Sequence, residues 1–263
     1  MKSAICILVF ILITVEGFTQ NDTIFAEYET KTFKFKGRNA KVVFPKNRND
    51  KNLWVWRARF WGHEPQTDIA LLEEGFHLVY VDVAGLFGNK KAVRVWNKFY
   101  RRMTKKYKLN SKVVLEGFSR GGLIVYNWAA KNTNKVACIY ADAPVCDIKS
   151  WPGGLYSGTG SPKDWAACLK AYKLNASSVL KFNGLPINKS IKVAKANIPV
   201  IHVYGDADEL VPPSENTELL AKKMKLAGGT IKLIGKKGVG HHPHSLKDPK
   251  PIVDFIFKAT EDL

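Results

Sequence analysis

The stretch Lys112-Val-Val-Leu-Glu-Gly-Phe-Ser-Arg-Gly-Gly122 decides how the chain is read. Val113, Val114 and Leu115 form an apolar, largely β-branched run of strand character, and a helical pattern opens at Leu123. Between them, Gly117-Phe118-Ser119-Arg120-Gly121 has the spacing G-x-S-x-G. Strand, sharp turn and helix with a serine at the apex is the layout of a nucleophile elbow, where a strained backbone lifts the hydroxyl above the sheet. Glycine is expected at 117 and 121 because strand and helix pass too closely there for a β-carbon. Three fixed positions in five are a weak signal alone; the flanking strand and helix strengthen it.

The neighbouring segments repeat the same alternation. Lys31–Lys36, Lys41–Pro45 and Leu53–Phe60 read as strands, and a helix is expected from Gln66 to Glu73. His77–Val83 is almost continuously apolar, as a strand buried on both faces should be. A long amphipathic helix follows from Lys90 to Tyr107, with Val93, Trp96, Phe99 and Tyr100 on one stripe. Further strands are expected at Val136–Ala141, Val200–Tyr204 and Thr230–Ile234, and helices at Ser214–Leu226 and Pro249–Ala259. Such alternation implies an α/β fold with a doubly wound, mostly parallel sheet. Residues 146–197, rich in Gly, Ser and Trp, break the rhythm and read as a small cap-like insertion before the strand at Val200. Lying over the carboxyl ends of the strands, it would form one wall of a ligand site.

Lys2, the apolar run Ala4–Val15 and the return of polarity at Glu16 predict a signal peptide over residues 1–20, and hence an exported protein in one domain spanning 21–263. The apolar run is too short to span a bilayer, so no stable membrane insertion is expected. Cys146 and Cys168 lie in loop-rich sequence and form the natural disulfide pair, whereas Cys138 reads as a buried free thiol. Forty-one Lys and Arg against 23 Asp and Glu leave a net charge of +18, which favours polyanionic partners. The lysines are scattered without a nucleic-acid motif, so nucleic acid is not expected as a partner.

Serine needs a base to become a nucleophile, and the remaining partners are sought just after later strands. The strand at Val200 runs into Gly205-Asp206-Ala207-Asp208-Glu209-Leu210-Val211-Pro212. The final strand runs into Gly238-Val239-Gly240-His241-His242-Pro243-His244. With the elbow, these segments resemble the α/β-hydrolase superfamily over almost the whole chain beyond residue 20. The resemblance implies a Ser119–His241–Asp208 triad, no metal and no cofactor. Asp206 stays open as an alternative acid, and His242 as an alternative base. His202 and His77 lie within strands and read as core histidines.

In such a triad His241 takes the Ser119 proton while Asp208 holds the imidazole tautomer. The oxyanion requires preorganised donors. The Arg120 N–H is one candidate, and the loop after the third strand, at Phe60 or Trp61, should supply the other. A His-Gly-Gly-Gly segment, as in typical lipases, is absent there. The Ser-Arg-Gly order resembles carbohydrate esterases acting on uronic-acid esters, such as glucuronoyl and pectin methyl esterases. That resemblance implies an acetylated or uronate methyl-esterified polysaccharide or oligosaccharide as substrate, with an anionic glycan favoured by the basic charge. Arg57 and Arg59, on one strand face by period-two spacing, His63 and Trp151 are the candidate substrate-binding residues. Two other readings stand beside it. One is a peptidase of the prolyl-oligopeptidase kind, disfavoured by the lack of an N-terminal propeller. The other is a non-catalytic glycan-binding protein on the same fold. The oligomeric state stays open.

Overall fold

The apolar runs become eight strands in the structure, a computed structural model that describes residues 24–263. The leader expected at residues 1–20 lies outside the described residues. The strands are β1 (Thr30–Phe35), β2 (Arg38–Val43), β3 (Trp54–Arg57), β4 (His77–Val81), β5 (Val113–Phe118), β6 (Val136–Asp142), β7 (Val200–Gly205) and β8 (Ile231–Lys236). They pair in the order β1-β2-β4-β3-β5-β6-β7-β8. β1 and β2 are antiparallel to their neighbours, and every pairing from β4 onward is parallel. The fold is that of an α/β-hydrolase, a mostly parallel sheet with helices on both faces.

Two packed layers cover the sheet. Helices α1 (Gln66–Glu73) and α8 (Lys250–Thr260) place Leu71, Leu72, Ile252 and Ile256 against Val55, Leu78, Val114 and Ile201 on one face. The opposite face carries α2 (Lys90–Lys106), α3 (Gly121–Ala129) and α7 (Thr217–Leu226). There Trp96 of α2 stacks on Trp56 of β3 with ring centroids 3.9 Å apart. Asn89 starts α2 by accepting the Lys91 and Ala92 amides at 2.8 and 3.1 Å, which satisfies two of the four donors left bare at a helix start. The expected stripe of Val93, Trp96, Phe99 and Tyr100 is the buried face.

Between β6 and β7 the chain forms α4 (Pro162–Tyr172), α5 (Ala176–Leu180) and α6 (Pro186–Lys195). Asn216, just before α7, fastens this segment to the core. Its side chain accepts the Cys146 amide at 2.8 Å and donates to the Ser150 hydroxyl at 2.9 Å. Cys146 and Cys168 are free, buried thiols, not the expected disulfide. Both belong to the apolar core, where they pack as small hydrophobes, and burial pushes the Cys168 pKa up to about 12. No helix among the described residues is long and apolar enough to cross a membrane.

One boundary matters for the site. β3 was expected to reach Phe60, but it ends at Arg57. Phe60 has a left-handed backbone, φ 52°, which an extended strand cannot contain. Arg57 and Arg59 therefore do not share a strand face.

Candidate active site

Ser119 sits between β5 and α3 with φ 48°, a costly conformation for a residue with a β-carbon. It is held from both sides: its amide donates to the Asp142 carbonyl at 2.8 Å, and its carbonyl accepts the Gly122 and Val145 amides. A β-carbon at 117 would lie 2.8 Å from the Val125 side chain, so that glycine is required. At 121 it would meet only ordinary contacts, the nearest at 3.4 Å. The second tight position is Gly122, where a β-carbon would lie 2.7 Å from Pro144.

The Asp208 and His241 side chains converge on this serine. The His241 Nδ1–H donates to Asp208 Oδ2 at 2.7 Å, because a carboxylate oxygen can only accept. That leaves Nε2 as an acceptor for the Ser119 hydroxyl, 3.0 Å away. The other Asp208 oxygen accepts the Leu210 and Val211 amides at 2.9 and 2.8 Å, which fixes the carboxylate plane. Asp206 instead accepts the Gly238 amide at 2.7 Å and ties the acid loop to the histidine loop. His242 is exposed and does not reach Ser119. The contacts thus separate both pairs of alternatives left open by the sequence, in favour of Asp208 and His241.

The two loops touch backbone to backbone. A β-carbon on Gly205 would lie 2.1 Å from the Gly240 oxygen and 2.2 Å from the Val239 oxygen. Gly205→Ala is therefore expected to push His241 off Ser119 and lower kcat about a hundredfold, the scale of an ångström-sized misplacement. Steady-state kinetics beside a thermal melt would check this; a folded variant with unchanged kcat would contradict it.

Arg57, expected to bind substrate, is wholly buried. Its guanidinium donates to Asp68 of α1 and, at 3.2 Å, to Glu116 of β5. It also donates to the Arg59, Phe60 and His63 carbonyls. Burial alone would lower the Arg57 pKa, yet Asp68 and Glu116 raise it above its ordinary value. Burial raises the Glu116 pKa well above the usual carboxylate range, and the Asp68 charge beside it pushes the same way. Arg57 is the internal brace of the 59–63 loop and makes no substrate surface.

A cleft of about 570 Å³ opens above Ser119. Arg59, Phe60, Trp61, His63, Arg120 and Trp151 all line it, so every other candidate for oxyanion or substrate binding reaches the same space. Among the described residues, the backbone amides of Phe60, Trp61 and Arg120 have no acceptor within the chain. The Arg120 guanidinium is 3.0 Å from Asp164 of α4 and lies over the Trp151 ring at 5.1 Å. Arg59 has no carboxylate within salt-bridge range among the described residues. Its pKa is lowered by partial burial and by Arg120. Tyr80 and His244 also line the cleft and were missed from the sequence. Burial pushes the Tyr80 pKa up to about 12, so its hydroxyl stays a neutral donor. Reading His77–Val83 as buried on both faces hid the end of β4 that opens to the cleft.

A model of the prolyl oligopeptidase family matches residues 98–261, more than half of the chain. The chain belongs to that family. No curated protein matches it in sequence. Its fold is similar to an acylaminoacyl peptidase from Pyrococcus horikoshii, at TM-score 0.66 and 14% identity, over 92% of this chain and 44% of that one. A puromycin hydrolase gives TM-score 0.67 and 14% identity over 94% of this chain and 41% of its own. Porphyromonas gingivalis dipeptidyl peptidase 4 gives 0.65 and 14% over 88% and 35%. The chain spans less than half the length of these structures. The family match, which lies within residues 98–261, outweighs the argument from an N-terminal propeller that favoured esters.

Proposed function

We propose that this prolyl oligopeptidase family member is a serine peptidase that forms an acyl-enzyme on Ser119. The single observation that carries the reading is the unbroken contact chain from Ser119 through His241 to Asp208 in an open cleft. As Ser119 Oγ bonds to the substrate carbonyl carbon, His241 takes its proton and Asp208 stabilises the resulting imidazolium. The carbonyl electrons move to the oxygen, which the Arg120 amide and an amide of the Phe60–Trp61 loop would receive. His241 then returns the proton to the leaving amine. Water enters and the steps repeat to free Ser119.

The unpaired Arg59, with Arg120 close by, would prefer a carboxylate near the scissile bond, which supplies the missing counter-charge. Arg59→Met is expected to lower kcat/KM about tenfold for an acidic peptide anilide and little for a neutral one. An equal loss on both would remove Arg59 from substrate selection. The Arg120 guanidinium in the cleft beside Ser119 favours a second reading, a uronate ester whose sugar charge it would meet. Peptide anilide cleavage measured beside methanol release from pectin and acetate release from acetylated xylan divides the two. Faster turnover of either polysaccharide would replace the peptidase by the esterase.

A further inference from the structure

His63, His242 and His244 stand together beside the triad, and nothing in the acyl-transfer scheme uses them as a set. Each offers a ring nitrogen within 4.8 Å of the other two. The best-defined edge of this triangle is 3.3 Å, from His63 Nε2 to His244 Nδ1. Two imidazole nitrogens on a tetrahedral zinc at about 2.05 Å lie roughly 3.3 Å apart, so the separation fits once the proton shared in this hydrogen bond moves to a far ring nitrogen. His244 is fixed by stacking on Phe118, with ring planes 14° apart. Its Nε2 is buried without a hydrogen-bond partner among the described residues, so the ring is not placed by such bonds at both nitrogens. The His63 carbonyl is gripped by Arg57, which sets the other side of the edge. His242 is exposed, and its ring centroid is 4.6 Å from that of His244 and 5.7 Å from that of His63.

We propose that His63, His242 and His244 form a binding site for a transition-metal dication of the zinc class, and that its occupancy inhibits the triad. Three neutral imidazoles select zinc, copper or nickel over magnesium and calcium, which demand oxygen. The His241 ring centroid is 5.0 Å from that of His242 and 4.9 Å from that of His244. A bound dication would therefore sit in the cleft that these rings share with Ser119 and His241, where the ion and its remaining ligand would obstruct a substrate carbonyl. The binding half of the proposal is independent of the peptidase reading. The inhibitory half rests on it.

The test is titration of the untagged full chain with Co²⁺, read by the visible absorption of four-coordinate cobalt and its bleaching by Zn²⁺. Fluorophosphonate labelling is followed in parallel. Cobalt absorption is expected in wild type and in His241→Ala, with His242→Ala binding at least about tenfold more weakly. Zinc should slow wild-type labelling about tenfold or more, because the ion and its remaining ligand would occupy the cleft the probe must enter. Absence of the cobalt band, equal binding by His242→Ala, or loss of binding in His241→Ala would overturn the site. Zinc binding that leaves labelling unchanged would overturn the inhibition.

Discussion

Ser119→Ala is expected to lower kcat by about four to six orders of magnitude while leaving the fold intact. Among the described residues the hydroxyl makes a single side-chain hydrogen bond, to His241, so its removal exposes no buried partner of high cost. His241→Ala should fall as far, because an alcohol without its base is not a nucleophile at neutral pH. The double variant should be no worse than either single one, since the residues act as one unit. Asp208→Asn should retain somewhat more activity, because His241 can still bind there in the wrong tautomer. Additive losses in the double variant would mean that the two side chains serve separate steps, and would contradict the scheme.

Arg57→Met is expected to destabilise the chain by about 3–5 kcal/mol, the cost of leaving a buried charge without its partner. Asp68 would keep a carboxylate in the core, and the Arg59, Phe60 and His63 carbonyls would lose their shared donor. Urea unfolding of Arg57→Met beside Arg57→Met/Asp68→Asn measures the effect. The double variant should recover part of the loss by removing the stranded charge. Should Arg57→Met unfold at the wild-type urea concentration, the brace assigned to this arginine would be mistaken. Because the 59–63 loop would supply an oxyanion donor in the proposed scheme, any folded remainder should also turn over slowly.

What could be read from the chain and what could not follow from the range of the interactions. Ser119, Asp208 and His241 were legible because each follows a strand within a short local pattern, and the parallel order of strands brings their ends together. The fold was legible for the same reason, with boundaries displaced by a few residues. Arg57 was not, because its partners come from α1 and β5 and only packing shows that it points inward. β3 stops at Arg57 and the chain turns left-handed at Phe60 with no glycine or asparagine to announce it, so Arg57 and Arg59 were placed on one face in error. Cys146 and Cys168 were paired on loop-like composition, whereas both are absorbed into the apolar core. His63 and His244 lie 181 positions apart, and no spacing rule connects them.

The most direct measurement is the intact mass of wild type and Ser119→Ala after exposure to a fluorophosphonate, with peptide mapping of the adduct. One adduct on the wild type, mapped to Ser119 and absent from Ser119→Ala, is the result expected for a serine activated by His241. No adduct on the wild type, or the same adduct on Ser119→Ala, would contradict it.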